Sequence, residues 1–263
     1  VGLGAGDFAR SLGTGVDQVE FRSSGGFAAY GSDRLINLGG ANDQIVWGRD
    51  SFVPISSSLI FGAYDSTHTA TLTNPVDLGY GSQVVRTENG LADVDGELAG
   101  VISGEAMLIK RGLGALRLSA DNTFDQGIAI EAGTLIGASG ASVFGNPAGA
   151  IRMGATSFTD TDGNLVLQLE GGTVANSLDV GTLNDTGTSM LRFTGDAEFS
   201  GNVTLGRGLF AGAVGAMVEG TLSGQVSGTG GITILSTGAV VLTNSSNDFG
   251  SSGGLPGNAI DGG

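Results

Sequence analysis

Two acidic stretches hold the residues of this sequence that are best suited to chemistry. The stretch DVDGE contains Asp93, Asp95 and Glu97, and the stretch DTDGN contains Asp160 and Asp162. Each resembles the first half of a calcium-binding loop, but neither continues to a glutamate at the twelfth position. Their carboxylates could also form the acid pair of a polysaccharide-active enzyme, although a lyase needs a nearby Lys or Arg to stabilise an enolate. The sequence favours a third interpretation, in which these oxygens accept backbone N–H bonds in turns.

A phosphate-binding loop and a hydrolytic triad find little support. Gly112 and Gly114 begin a Gly-x-Gly pattern, but Arg117 occupies the position of the third glycine in a dinucleotide-binding loop and no helix is predicted to follow. The only histidine, His68, lies in an alternating DSTHTATL segment, and no Gly-x-Ser-x-Gly elbow accompanies it. The chain has no cysteine, which excludes thiolate nucleophiles and disulfides. We therefore predict no catalytic residue and no cofactor, with Ca²⁺ as the one open possibility.

The composition indicates many short strands joined by turns. The 263 residues include 50 glycines and only 4 prolines, and 14% of the residues are charged, against about 25% in an average globular protein. The net charge of −15 at pH 7 should repel nucleic acid and anionic membrane surfaces. No apolar run reaches the ~18–20 residues of a membrane-spanning helix. We therefore expect neither nucleic acid binding nor membrane insertion by this chain.

The chain contains an internal repeat. Residues 96–119 match residues 220–243 at eight of 24 aligned positions, with a constant offset of 124 residues. Shorter apolar tetrads upstream also recur, with spacers of changing length between them, as expected for strands joined by tolerant surface turns. The sequence therefore predicts one continuous domain made of two related tandem modules, residues 1–149 and 150–263.

Within the modules, apolar residues alternate with a period of two, which is typical of strands. Leu116 and Leu118 share one predicted face with Arg117 on the other, and Ile128 and Ile130 are predicted to point inward in the same way. No capped amphipathic helix is predicted. A sandwich, a barrel or a propeller could be built from such strands, but the variable spacers favour a parallel solenoid, whose coils need only be in register with their neighbours. About 20–24 residues per coil would give a parallel β-helix of about 11–12 coils.

One segment resembles a known repeat family. Residues 108–137 resemble the autotransporter-associated β-strand repeat, also called the passenger-associated transport repeat. The matching positions are Lys110, Gly112, Gly114, Leu116, Leu118, Asn122, Thr123, Phe124, Gly127, Ile130, Gly133 and Leu135. In residues 232–250 a weaker copy has SSNDFG in place of the Asn-Thr-Tyr segment of the family. The resemblance implies a right-handed parallel β-helix exported to the bacterial surface, often as an adhesin, stalk or matrix component. It supplies no catalytic residue.

Together these observations predict a secreted, non-enzymatic structural protein, a β-solenoid segment of a bacterial surface adhesin, stalk, sheath or fibre. The expected partner is the protein itself, associating end to end or through neighbouring segments. Two alternatives stay open. One is an adhesin domain that binds Ca²⁺ or surface polysaccharide, for which the aromatic residues crowded into the first third, Tyr64 and Tyr80 among them, could form a sugar platform. The other is a β-helical polysaccharide-active enzyme.

Overall fold

A computed structural model describes residues 1–154, 164–181, 187–250 and 261–262 of the chain. In these residues every regular element is a β-strand, and none is a helix. The strands are β1 (Gly2–Leu3), β2 (Gly25–Ala29), β3 (Arg34–Ile36), β4 (Ile45–Val46), β5 (Ser58–Phe61), β6 (Ala70–Leu72), β7 (Val76–Thr87), β8 (Gly96–Leu98), β9 (Ile102–Arg111), β10 (Ala115–Leu118), β11 (Ile128–Ile130), β12 (Gly133–Gly137), β13 (Ile151–Met153), β14 (Leu165–Leu169), β15 (Gly172–Val174), β16 (Leu178–Val180), β17 (Ser189–Phe193), β18 (Ala197–Phe199), β19 (Val203–Leu205), β20 (Leu209–Ala213), β21 (Glu219–Leu222), β22 (Val226–Gly228), β23 (Ile232–Ile234), β24 (Ala239–Leu242), β25 (Asp248–Phe249) and β26 (Asp261–Gly262).

The strands form three sheets that run along one solenoid. Sheet 1 has the order β1-β2-β5-β7-β9-β11-β13-β16-β19-β22-β25, with β4 also paired to β7. Sheet 2 has the order β3-β6-β8-β10-β12-β14-β17-β20-β23-β26, and sheet 3 has the order β15-β18-β21-β24. Each strand pairs in parallel with its counterpart in the next coil, as in the pairing of Ile128 with Ile151. The predicted all-β parallel β-helix is confirmed, and eleven successive strands of sheet 1 agree with the expected 11–12 coils. The handedness of winding stays a prediction.

The length of a coil varies more than the sequence indicated. Ala115 pairs with Thr134, nineteen residues further on, whereas Arg34 pairs with Ala70, thirty-six residues further on. The additional residues lie in the connections, because the paired strands themselves stay in register. A parallel solenoid tolerates such insertions at the surface, so the spacing between strands is a weak guide to the position of each coil.

The core is a continuous column of apolar side chains inside the sheets. Leu116, Leu118, Ile128 and Ile130 are fully buried, as their alternation predicted, and Arg117 lies on the outer face between them. Stacking each side chain on its counterpart in the neighbouring coil removes it from water along the whole solenoid. Each such Leu or Ile contributes about 1.5–3 kcal/mol through burial.

The first coils turn their corners differently from the later ones. Strands β7 and β9 are 12 and 10 residues long, and their register shifts between Asp77 and Tyr80. Gly104, with a φ of 115°, gives β9 the bend that an L-residue with a side chain would adopt only with strain. In the later coils this bend is replaced by separate short strands, and sheet 3 begins at β15.

The two copies of the internal repeat occupy different faces of the solenoid. In the first copy β8 and β10 belong to sheet 2, whereas the matching strands β21 and β24 of the second copy belong to sheet 3. The chain visits sheets 2, 3 and 1 in turn through the later coils, so the second copy is advanced by one face. The sequence repeat therefore specifies an order of strands and corners, but not a fixed face. The division into modules 1–149 and 150–263 stays a prediction.

Candidate functional site

The most unusual group in the interior is a lysine at the corner between sheets 1 and 2. Lys110 is the last but one residue of β9 and has the same parity as the buried Leu108, so its side chain points inward, and it is fully buried. Its Nζ donates hydrogen bonds to the carbonyl oxygens of Arg111 (3.1 Å), Gly112 (2.7 Å) and Ala132 (2.9 Å). Lys110 thereby connects the corner of its own coil to that of the next coil.

Asp95 lies at the same corner, one coil earlier. It is 1% exposed, and its two carboxylate oxygens accept the amides of Gly90 and Ala115, each at 2.8 Å. Burial lowers the pKa of Lys110 to about 7, and the charge of Asp95 opposes this shift. Burial raises the pKa of Asp95, while its two backbone hydrogen bonds and Lys110 act in the opposite direction. We call Lys110, Asp95 and the backbone that they bind the Lys110 corner.

The residues predicted for calcium binding do not converge in the described part of the chain. Asp95 points into the Lys110 corner, Glu97 lies on the outer face of β8, and Asp93 is solvent-exposed. Asp160 and Asp162 lie outside the described residues. Within the described ranges no group of three or more His, Cys, Asp or Glu side chains is arranged to hold a metal ion. The calcium site therefore stays a prediction.

Glu97 instead belongs to a polar ladder across the outer face of sheet 2. Its Oε1 lies 3.0 Å from Nη1 of Arg117, and it also accepts a hydrogen bond from Ser119. Arg117 continues across the ladder to Glu170, with Nη2 at 2.7 Å from Oε2. Arg117 therefore bridges two carboxylates that lie 73 positions apart in the sequence and three strands apart in the sheet. The arrangement ties coils together and leaves the basic group fully engaged.

The asparagine of the resembling motif closes a corner. Asn122 is 1% exposed, accepts the amide of Ile102 at 2.8 Å and donates to the carbonyl of Val143 at 2.6 Å. Asn247, in the weaker copy, accepts the amide of Val226 at 2.8 Å. Ile102 and Val226 are themselves matched positions of the repeat, so the same hydrogen bond is made in both copies.

The remaining sequence candidates lie apart from one another. Gly112 adopts a φ of 75°, and its carbonyl is bound by Lys110, so the Gly-x-Gly segment forms a corner between coils. His68 is half-buried, and its Nδ1 lies 2.8 Å from Thr67 Oγ1. The structure places no described nucleophile and base in a triad arrangement around it.

A surface cleft of about 350 Å³ opens above the Lys110 corner. It is lined by Tyr64, Arg86, Glu88, Asn89 and Leu113, together with the backbone of Gly112. Arg86 lies at the end of β7, and the other residues come from the connections that follow β5, β7 and β9, which are successive strands of sheet 1. We call this feature the corner cleft. Sequence reasoning singled out Tyr64 as one of many aromatic residues, but the grouping with Asn89 and Leu113 depends on coil lengths that the sequence does not reveal.

The two ends of the solenoid differ in chemistry. At the N-terminal end, aromatic rings pack over the first coils, with Phe21 5.6 Å from Phe52 and 6.1 Å from Phe27 between ring centroids. At the other end, residues 220–247 contain no charged side chain. There β24 has β21 as its one neighbour among the described strands. Its sequence is AVVL, and Val241 is 36% exposed.

No family model, curated protein or solved structure matches this chain. The resemblance to the autotransporter-associated repeat therefore stays a prediction based on the motif residues. Among the described residues no helix is long and apolar enough to cross a membrane.

Proposed function

We propose that this chain is a non-enzymatic structural segment of a bacterial surface protein, a rod that extends by stacking further coils on its uncharged end. This proposal rests on the position of β24. It is an apolar strand at the described edge of sheet 3, and it lies within a stretch of 28 uncharged residues, 220–247. An exposed, apolar sheet edge without a charge or proline is a template for pairing with another strand. The resemblance of residues 108–137 to an autotransporter repeat supports secretion and a location at the cell surface.

The mechanical role follows from the continuous ladders. Eleven successive strands of sheet 1, at a spacing of about 4.8 Å, give a rod on the order of 50 Å long. The core column stacks on itself from coil to coil, and bending would have to separate hydrogen-bonded strands. An acidic surface keeps such a rod soluble. At the end formed by residues 220–247, Asp248 of β25 is the one charge in the last described strands of sheets 1 and 3, so the repulsion that opposes stacking is small there.

The proposed partner is a second copy of the chain that meets the uncharged end through β1. In this arrangement β25 and β1, the last and first described strands of sheet 1, would continue one sheet across two molecules. Core side chains near the end are available for such stacking, because Ile234, Val240 and Leu242 are only partly buried.

The experiment is light scattering over a concentration series, with electron microscopy of the same samples. We expect mass to increase with concentration and elongated particles to form. Val241→Lys should raise the concentration needed for association at least tenfold, because it places a charge on the edge strand. Leu113→Lys is the matched control, since Leu113 is 55% exposed on the side of the rod, and it should associate like the native chain.

A native chain that remains monomeric at every concentration would contradict the stacking. Equal association of the Val241→Lys and native proteins would contradict the assignment to β24. A scattering profile of a compact particle instead of a rod would contradict the structural role as a whole.

A further inference from the structure

The corner cleft has the chemistry of a small binding site. Tyr64 is 90% exposed on one side of it, and Leu113 is 55% exposed on another. The cleft is also lined by the Arg86–Glu88 ion pair, with Nε and Oε1 2.5 Å apart, and by the exposed side chain of Asn89. An aromatic ring, an aliphatic side chain and groups that both donate and accept hydrogen bonds therefore surround one cleft of about 350 Å³.

We propose that the corner cleft binds a neutral saccharide unit. A sugar ring has an apolar C–H face that packs on an exposed aromatic ring, and hydroxyls that both donate and accept hydrogen bonds. Tyr64 and Leu113 supply the apolar surfaces. Asn89 supplies an amide that donates and accepts, and the Glu88 carboxylate accepts from hydroxyl groups.

The electrostatics of the cleft favour a neutral ligand over an anionic one. Arg86 is paired with Glu88 inside the cleft, so its charge is already compensated. The chain as a whole has a net charge of −15, which disfavours the approach of acidic sugars and phosphates. A neutral ligand that is recognised through its hydroxyl groups and C–H faces needs no ionic contact with Arg86 or Glu88, and the negative charge of the chain does not repel it.

The floor and walls of the cleft are held in place before a ligand arrives. Beneath it, Lys110 binds the carbonyls of Gly112 and Ala132. The turn that presents Tyr64 is closed by Ser66, which is fully buried and exchanges hydrogen bonds with the amide and carbonyl of Ala63 at 3.0 and 2.8 Å. Ordering a loop on binding costs affinity, so a cleft built on fixed corners avoids that cost. The buried Lys110 thus helps to fix the backbone that forms the cleft.

Affinity electrophoresis tests this proposal, with native gels that contain hydroxyethyl cellulose, dextran or galactomannan, and a parallel gel with polygalacturonate. We expect at least one neutral polysaccharide to retard the native chain. Tyr64→Ala and Asn89→Ala should each reduce the association constant about tenfold or more. Tyr80→Ala is the matched control, because Tyr80 is 76% exposed on β7 and lies outside the cleft. Its mobility should follow that of the native chain.

Thermal melting of each variant confirms that Tyr64→Ala leaves the fold unchanged, as expected for an exposed side chain. The proposal is overturned if no neutral polysaccharide retards the native chain, if polygalacturonate alone does, or if Tyr64→Ala and Tyr80→Ala are retarded equally. The inference is independent of the stacking of rods, because the cleft lies on a side corner, and monomeric Val241→Lys protein can be used in the same gels.

Discussion

The two copies of the repeat, residues 96–119 and 220–243, keep one packing device and differ in another. In the first copy a Cβ on Gly96 would overlap the side chain of Phe61, and in the second a Cβ on Gly220 would overlap the ring of Phe193. Both phenylalanines are fully buried and end a strand of the preceding face. A glycine that makes room for a buried ring is therefore preserved even though the second copy is advanced by one face.

The polar residues are not preserved in the same way. Lys110 is matched by Ile234 in the second copy, and Arg117 by Val241. The first pair exchanges a buried cation for an apolar side chain, and the second exchanges a bridged surface cation for the exposed residue of an edge strand. Strand alternation and the glycine–phenylalanine contact are therefore the features that both copies need to form a coil. The charged groups are local additions that stabilise one corner and one face.

The largest expected effect comes from breaking the shared device. Gly96→Val and Gly220→Val should each lower the free energy of unfolding by about 3 kcal/mol or more, because the new side chain has to displace a buried ring in a filled core. Chemical denaturation monitored by circular dichroism measures the loss. The control is Gly231→Val, since Gly231 is exposed and a Cβ there meets no atom within 4 Å.

Similar losses of unfolding free energy for Gly96→Val and Gly220→Val would show that the same glycine–phenylalanine contact stabilises two different faces of the solenoid. A harmless Gly220→Val beside a damaging Gly96→Val would show instead that the second copy has relaxed its packing.

The next effect tests what is unique to the first copy. Lys110→Ile installs the residue of the second copy and removes the donor to the buried carbonyls of Gly112 and Ala132. Leaving such acceptors without a partner costs about 1–3 kcal/mol, so we expect a loss of about 2–3 kcal/mol at pH 9. Ile234→Val, the control in the second copy, should cost about 1 kcal/mol or less. A fully stable Lys110→Ile protein would mean that water replaces the Lys110 amine as the donor to these carbonyls without cost.

The pH dependence of stability provides a separate signature of Lys110. Burial lowers the pKa of Lys110 from 10.5 to about 7. Between these two pH values the folded chain has therefore lost this proton, whereas the unfolded chain still holds it. The free energy of unfolding should therefore rise with pH from 7 to 10.5, by at most about 1.4 kcal/mol per pH unit. The Lys110→Ile protein should lack this rise. An identical slope in both proteins, measured by denaturation at pH 7, 8, 9 and 10, would contradict the assignment to Lys110.

Much of the fold could be predicted because strand alternation is a local signal. The inward positions of Leu116, Leu118, Ile128 and Ile130 follow from parity alone, and the parallel solenoid follows from variable spacers between constant strands. The same parity places Lys110 inside, next to Leu108 in the pattern, but a lysine is almost never fully buried without partners. One of its carbonyl acceptors, Ala132, belongs to the next coil, and no sequence spacing identifies it.

The corner cleft and the polar ladder were beyond prediction for the same reason. Arg117 reaches Glu170 across an intervening strand, and Tyr64 and Leu113 line the same cleft although four strands lie between them in the chain. The side chains opposite one another across coils depend on the lengths of surface connections, which vary freely. Alternation determines which side chains of a strand face the core and which face solvent. The register between coils determines which side chains lie next to one another.

A smaller effect compares the two corner asparagines. Asn122→Ala removes one accepted and one donated hydrogen bond from a buried side chain, so we expect a loss of about 2 kcal/mol. Asn247→Ala removes the bond to the amide of Val226 from a half-buried side chain, and about 1 kcal/mol should be lost. Hydrogen exchange of the Ile102 and Val226 amides reports the two sites separately. Equal protection of the Ile102 amide in the native and Asn122→Ala proteins would contradict the corner role.

The smallest expected effect concerns the outer face. Arg117→Val gives the first copy the outward residue of the second and removes the bridge between Glu97 and Glu170. Arg117 is 33% exposed, so solvent screens the bridge, and the loss should be about 1 kcal/mol or less in low salt. In 1 M NaCl the native and variant proteins should become nearly equal, because the remaining attraction is screened. A loss that persists in high salt would show that the aliphatic part of Arg117 stabilises the ladder by packing. The two copies would then differ at this position in contact area, with charge contributing little.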